Sequence, residues 1–279
     1  MQAGKSVIFC ATQRTGSTLV LDDFLNVVGS VRLNSEILYE RIALKKTQLP
    51  WSELWNEIRE GNTVHDYFFG KVMFHYIPLI SRFMERNSTA GVVYPCLKFA
   101  PEQFDSFRNF FADAVWVYID RRNVFAQTVS MYLAETTNVW ERLLEVPQNG
   151  VSLPVESVNP AEAVSRNPSR RSGVLPGAVV RYEYEKLKGY LKGFLSEREQ
   201  WQLFFRHYKI TPIRISYEEA AAGYPQYLKE LLDKTGLHAV DAPPPRRMLK
   251  VGGQRNDEWA EFLRNDVIAE LYVRSHSGV

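Results

Sequence analysis

Seven consecutive residues near the start of the chain, Thr12, Gln13, Arg14, Thr15, Gly16, Ser17 and Thr18, combine an arginine, a glycine and four hydroxyls. Between a strand and a helix, a loop of that composition can hold an anion. Its backbone N–H groups lack intrahelical partners, the positive end of the helix dipole lies behind them, and glycine lets a ligand come close to the backbone. Arg14, Thr15, Ser17 and Thr18 add side-chain donors. The alternative for the same residues is a plain polar turn with Ser17 as N-cap of the next helix. The Gly-Lys-Ser/Thr ending that would set a lysine on terminal phosphates and a hydroxyl on Mg²⁺ is missing, which argues against a kinase or NTPase.

A second cluster is Arg122-Asn123-Val124, with Ser130 eight residues beyond the arginine. A forked cation at a strand end and a hydroxyl two turns into the next helix suit one phosphate. Taken alone, Arg121 and Arg122 read as solvated charges and Ser130 as an indifferent helix residue. Lys98 is a candidate cation for a transferring group, and equally a lysine with its stem laid along apolar surface. His65, His75, His207, His238 and His276 stand in no matching motif, and a lone histidine is usually structural or exposed.

The elements that must position these groups follow from hydrophobic patterning. Residues 6–11 (SVIFCA) form a short apolar run that predicts a buried strand, and apolar spacings from Leu19 to Val28 predict a helix stopping at Gly29. Further strands are expected at 91–99, at 114–119 and at 212–216, with helices over 101–112, 124–140 and 179–208. Strands alternating with helices imply an α/β fold with a mainly parallel central sheet covered on both faces. The segment Arg121 to Val124 then falls at the strand edge where such sheets bind ligands. Residues 147–176 are rich in Pro, Ser, Asn and Gly without a period, which predicts a long surface loop or lid. Trp51, Trp55, Tyr67, Phe68, Phe69 and Tyr76 make an aromatic stretch read mostly as core.

The 279 residues, 45% of them hydrophobic, suit one domain with insertions over 1–279. With 34 basic against 32 acidic side chains, the charge of +2 excludes the broad electrostatic footprint of a nucleic-acid-coating protein. Cys10 and Cys96 sit in apolar runs and read as reduced buried thiols, which favours a cytoplasmic protein. No window is long and apolar enough for a membrane span, and the opening residues do not read as a signal peptide.

Taken together, IFCATQRTGSTL, DRRNVFAQTVS and GQRNDEW resemble, in order along nearly the whole chain, the bacterial carbohydrate sulfotransferases that use 3′-phosphoadenosine 5′-phosphosulfate (PAPS), the trehalose 2-sulfotransferase and lipopolysaccharide or Nod-factor type. The resemblance implies a P-loop-NTPase-like three-layer α/β fold, PAPS as donor, adenosine 3′,5′-bisphosphate as product, a hydroxyl of a carbohydrate, glycolipid or related small molecule as acceptor, and no metal. It places Gln13, Arg14, Thr15, Gly16, Ser17 and Thr18 around the 5′-phosphosulfate, Arg122 and Ser130 on the 3′-phosphate, and Gln254 and Arg255 near the same phosphate, with Lys250 or Gly253 as alternatives in that last segment. It puts Glu36 in the place of a general base, and a carboxylate there can take the acceptor's proton; Glu40 is the neighbouring alternative. Arg14 and Lys98 join Glu36 as the expected catalytic set. The resemblance also makes a homodimer plausible, with the helix 179–208 as interface. The rival readings are a nucleoside-phosphate kinase with a variant loop, which would require ATP and Mg²⁺, and a nucleotide-binding protein without chemistry.

Overall fold

Ser6–Ala11 forms β1, buried along its whole length, as a run with no polar face demands. The structure, a computed structural model, describes residues 2–30, 36–44, 49–88, 98–137, 139–140, 142–143, 180–243, 245–246, 248–249 and 253–276. After β1 come α1 (Ser17–Val27), α2 (Ile37–Tyr39) running into a π-helical turn at Glu40–Leu44, α3 (Trp51–Gly61), β2 (Thr63–Val64), β3 (Tyr67–Met73), α4 (Ile77–Arg86), α5 (Asp105–Phe110) and β4 (Val115–Asp120). They are followed by α6 (Val124–Thr137), β5 (Arg142–Leu143), α7 (Tyr184–His207), β6 (Ile213–Ser216), α8 (Tyr217–Ala222), α9 (Lys229–Thr235), β7 (Met248–Leu249) and α10 (Gln254–His276).

The chain divides into two compact units. Unit 1 comprises Met1–Arg122 and Phe194–Pro244, and unit 2 comprises Asn123–Gly193 and Pro245–Val279. Unit 1 holds a five-stranded sheet in the order β2-β3-β1-β4-β6, parallel throughout except for β2 against β3. This is the expected α/β architecture with helices on both faces. Side chains alternate across a strand, so Phe9 and Phe69 meet Phe24 of α1, with ring centroids 6.4 and 5.5 Å apart, while Phe68 turns to Trp55 of α3 at 4.8 Å. Trp51 and Trp55 are core residues, as their helical spacing suggested.

One turn of α7, in its portion 194–207, ties down the ends of three adjacent strands. Trp201 Nε1 donates to the Ala11 carbonyl at the end of β1 (3.2 Å), and the Phe74 N–H past β3 donates to Glu197 (3.2 Å). Arg198 donates to the Arg121 carbonyl past β4 (2.6 Å). These bonds fix the edge from which the loops of interest spring, because the carbonyls and N–H groups there have left the sheet ladder and are satisfied by α7.

Unit 2 is built on α6, α10 and residues 184–193 of α7, around Ala126, Val129, Tyr132, Leu187, Ala260 and Leu263. Tyr132 donates to the Arg181 carbonyl (2.5 Å) and to Glu183 (2.6 Å), and burial with that carboxylate pushes its phenol up to about 12. A short antiparallel pair, β5 with β7, completes the unit.

Two elements differ from the sequence expectations, and a third expectation lies largely outside the described residues. The neighbour of β1 is β3, at Tyr67–Met73, which the aromatic reading of that stretch had not resolved as a strand. Covered on both faces, β3 shows no alternation, and Gly70 and Lys71 interrupt its apolar run. The expected strand at 91–99 falls, over 91–97, outside the described residues, as do Cys96 and the segment 147–176. The C-terminal basic segment opens a 23-residue helix, α10, that periodicity missed because few of its side chains are buried, among them Asn256, Ala260 and Leu263.

Candidate functional site

The loop 12–18 leaves the end of β1 and opens α1, the strand–loop–helix order its composition required. Arg14 and Gly16 both adopt left-handed backbone, at φ 63° and 78°. Alternate left-handed residues gather successive N–H groups into a concavity suited to an anion. Gly16, not Ser17, occupies the N-cap position of α1, with no side-chain cap. A Cβ on Gly16 would lie 2.6 Å from Cδ2 of Tyr217, so the position has no room for a side chain. The buried Thr15 hydroxyl donates back to the Thr12 carbonyl (2.9 Å) and closes the loop on itself.

Neighbouring strand ends add the charges. Buried Arg121 donates to the Arg14 carbonyl (3.5 Å) and lies 4.5 Å from the Tyr217 ring centre, which in turn backs Gly16. Arg122 is exposed and paired with Glu219, while its N–H donates to Glu218 (3.0 Å). Glu219 completes a capping box at the start of α8. It accepts from the Ser216 N–H (3.0 Å), and its own N–H donates to the Ser216 hydroxyl (3.2 Å). The Ser216 N–H is the main cause holding the Glu219 carboxyl below its ordinary 4.5, aided by the Ser216 hydroxyl and Arg122 against partial burial. Burial raises Asp120, at the end of β4, against the pull of Arg198.

A depressed carboxyl stabilises the fold above its unfolded value and loses that contribution as pH falls through its folded value. Ser216→Ala is therefore expected to cost about 1 kcal/mol, or roughly 2 °C in Tm, at pH 7. The difference narrows as pH falls from 7 to below the ordinary 4.5 and through the lower value at which folded Glu219 protonates. Thermal melts at both pH values check this.

Glu36 begins α2 as its N-cap residue, with its carboxylate one-third exposed. Its partner is a residue that sequence reasoning missed. Lys71, in the middle of β3, is 5% exposed and sets Nζ 2.9 Å from Glu36 Oε1 and 3.0 Å from Thr18 Oγ1. Period-two alternation puts Lys71 on the face of Phe69, which is the face covered by α1, so the ammonium sits beneath the start of that helix. A lysine inside an otherwise apolar run was the available signal, because lysine is almost never fully buried without a partner. This ion pair also separates Glu36 from the alternative Glu40, since it is Glu36 that the buried ammonium takes.

Unit 1 thus brings together the loop 12–18, Glu36, Lys71 and Arg121, with Arg122 on the next strand end. Lys98 is exposed just before the turn at Pro101–Gln103. Tyr39 stacks on Tyr76, with ring centres 3.7 Å apart and planes at 10°, and His75 Nδ1 lies 3.4 Å from Glu197. The other candidates belong to unit 2. Asn123 caps α6 by accepting from the Ala126 N–H (2.9 Å), and Ser130 follows in α6, half-buried. Gln254 and Arg255 are exposed on the first turn of α10, the one donating to Glu258 (2.7 Å) and the other lying over Trp259. Their neighbour Asn256 is buried and donates to the Ala126 carbonyl of α6 (3.4 Å), so part of that motif is structural.

A family model described as Stf0 sulphotransferase matches residues 38–150 and 163–266, most of the chain. No curated protein matches. The match begins just past Glu36, so the loop 12–18 and Glu36 stand on their own geometry, while Lys71, Lys98, Arg122, Ser130, Gln254 and Arg255 lie within it.

Proposed function

Because the chain belongs to the Stf0 sulphotransferase family, we propose that it moves a sulfuryl group from PAPS to a hydroxyl of a carbohydrate or glycolipid, with Glu36 as general base. Sulfotransfer itself follows from the family. The observation that carries the donor assignment is the loop 12–18, with left-handed Arg14 and Gly16 at the N-terminus of α1 and no lysine of the kinase type.

The loop N–H groups, Gln13, Arg14, Thr15, Ser17 and Thr18 would hold the 5′-phosphosulfate. The acceptor oxygen attacks sulfur and forms the new O–S bond while the S–O bond to the 5′-phosphate breaks. The bond pair leaves with adenosine 3′,5′-bisphosphate, and the hydroxyl proton passes to Glu36. Arg14 and the loop dipoles neutralise the charge that gathers on the departing phosphate oxygen, as preorganised donors do in acyl and phosphoryl transfer. Lys98 is the proposed additional cation for the sulfuryl group.

Arg122 is assigned to the 3′-phosphate. Its exposed pair with Glu219 is of the kind worth roughly 0–1 kcal/mol, so exchanging that partner for a dianionic phosphate is favourable. Ser130, Gln254 and Arg255 are proposed for the 3′-phosphate on the sequence resemblance. A carbohydrate acceptor is supported by the family and by the partly buried ring of Tyr39, three residues past the proposed base and stacked on Tyr76. Among the described residues no helix is long and apolar enough to cross a membrane. A homodimer with α7 at its interface and a cytoplasmic location complete the proposal.

Incubation with PAPS and a panel of disaccharides including trehalose, followed by mass spectrometry, should show a product heavier by one sulfo group without added metal. Strict dependence on ATP and Mg²⁺ would instead support the kinase reading.

A further inference from the structure

A lysine in the interior of a covered strand is costly unless its charge is matched. Lys71 is matched on two sides. Its ammonium reaches Thr18 Oγ1 in the anion-binding loop at 3.0 Å and Glu36 Oε1 at 2.9 Å. The two ends of this pair differ in exposure, with the lysine side chain 4% accessible and that of Glu36 32%. The cation is therefore enclosed by the sheet while the carboxylate stays partly accessible to solvent, and so to an acceptor. Phe9 on β1 and Lys71 on β3 are register partners, and Phe9 and Phe69 both pack on Phe24 of α1, so the stem of Lys71 is held between elements that cannot shift independently. The residue ties a rigid strand, the loop and the carboxylate into one assembly.

From this geometry we infer that Lys71 is the positioning residue of the reaction: it aims the Glu36 carboxylate at the acceptor hydroxyl and keeps its place fixed relative to the loop that holds the donor. Glu36 sits on a turn at the start of a three-residue helix, and such a turn does not by itself hold a side chain to the tolerance proton transfer requires. Lys71 supplies that constraint from a strand that is buried from Phe68 to Met73 and paired along its length with β1. The inference rests on the reading of Glu36 as base.

The test is a double-mutant cycle in the full chain, measured as PAPS consumption at saturating PAPS with trehalose and other disaccharides, and with water, as acceptors. Lys71→Met keeps the length of the side chain and replaces the buried charge with an apolar group. Lys71→Gln, which keeps a donor without the charge, takes its place if circular dichroism shows the methionine variant unfolded. Lys71→Met is expected to lower kcat at least tenfold by itself. Once Glu36 is Gln, adding Lys71→Met should change kcat by less than about threefold, because residues acting through one another are not additive. A double variant slower than Glu36→Gln by the full Lys71→Met factor would overturn the inference, and so would a Lys71→Met protein with wild-type kcat. Two other outcomes strike the underlying reading instead: a Glu36→Gln protein at full rate removes the base, and a wild-type protein that consumes no PAPS with any acceptor removes the activity.

Discussion

Glu36→Gln is expected to lower kcat by roughly 10²–10⁴-fold, the range general-base catalysis contributes, while leaving affinity for adenosine 3′,5′-bisphosphate within about threefold. The separation follows from where Glu36 stands. Glu36 lies at the start of α2, paired with Lys71, whereas the proposed donor grip is the left-handed backbone of Arg14 and Gly16. The substitution also leaves the Lys71 ammonium buried beside a neutral amide, so a lower Tm should accompany the lost turnover. Steady-state rates at saturating PAPS, together with calorimetric binding of the bisphosphate, read the two effects apart. Loss of bisphosphate binding in step with kcat would place Glu36 in the donor site rather than at the base.

Gly16→Val should abolish donor binding, with at least a 100-fold loss of bisphosphate affinity in a chain that remains folded. The position carries two independent demands. Its φ of 78° is left-handed, where a β-branched side chain is strained by about 1–3 kcal/mol. Its Cβ would also meet Cδ2 of Tyr217 at 2.6 Å. Tyr217 has little room to retreat, because the Arg121 guanidinium lies 4.5 Å above its ring and that arginine is buried at the end of β4. The strain must be relieved by moving the loop itself, which scatters the N–H groups that gather on the anion. Titration calorimetry on the variant, alongside its circular dichroism spectrum, checks this. Binding within threefold of wild type would show that the loop is not the donor's grip.

Local signals made much of the architecture legible. β1 was readable because a six-residue apolar run has few alternatives to a buried strand, and α1 because Gly29, at φ 70°, ends its pattern as a glycine past a helix terminus should. The loop was readable from composition, since arginine, glycine and hydroxyls at a strand-to-helix junction suit anions. What could not be read was anything decided by pairing across long sequence separations. β3 carries no period of its own, and only its register against β1 identifies it. Lys71 looked unremarkable because its two partners lie 35 residues before it and 53 residues before it, joined only by the sheet. Arg121 was read with Arg122 as a solvated pair, and the fold separates them: the first is buried beneath the loop, the second exposed against Glu219. Asn256 appeared as one polar residue among several in a basic stretch, yet it is buried against α6. Chemistry-bearing residue types were visible in sequence, whereas the residues that hold them in place depend on tertiary packing.

The central claim is that the loop 12–18 holds the phosphosulfate end of PAPS. Isothermal titration of the wild-type chain with adenosine 3′,5′-bisphosphate, against ATP·Mg²⁺ under the same conditions, tests it most directly. Tight binding of the bisphosphate without metal is expected, with ATP·Mg²⁺ weaker by at least an order of magnitude, or about 1.4 kcal/mol. Preference for ATP·Mg²⁺, or no binding of the bisphosphate, would contradict it.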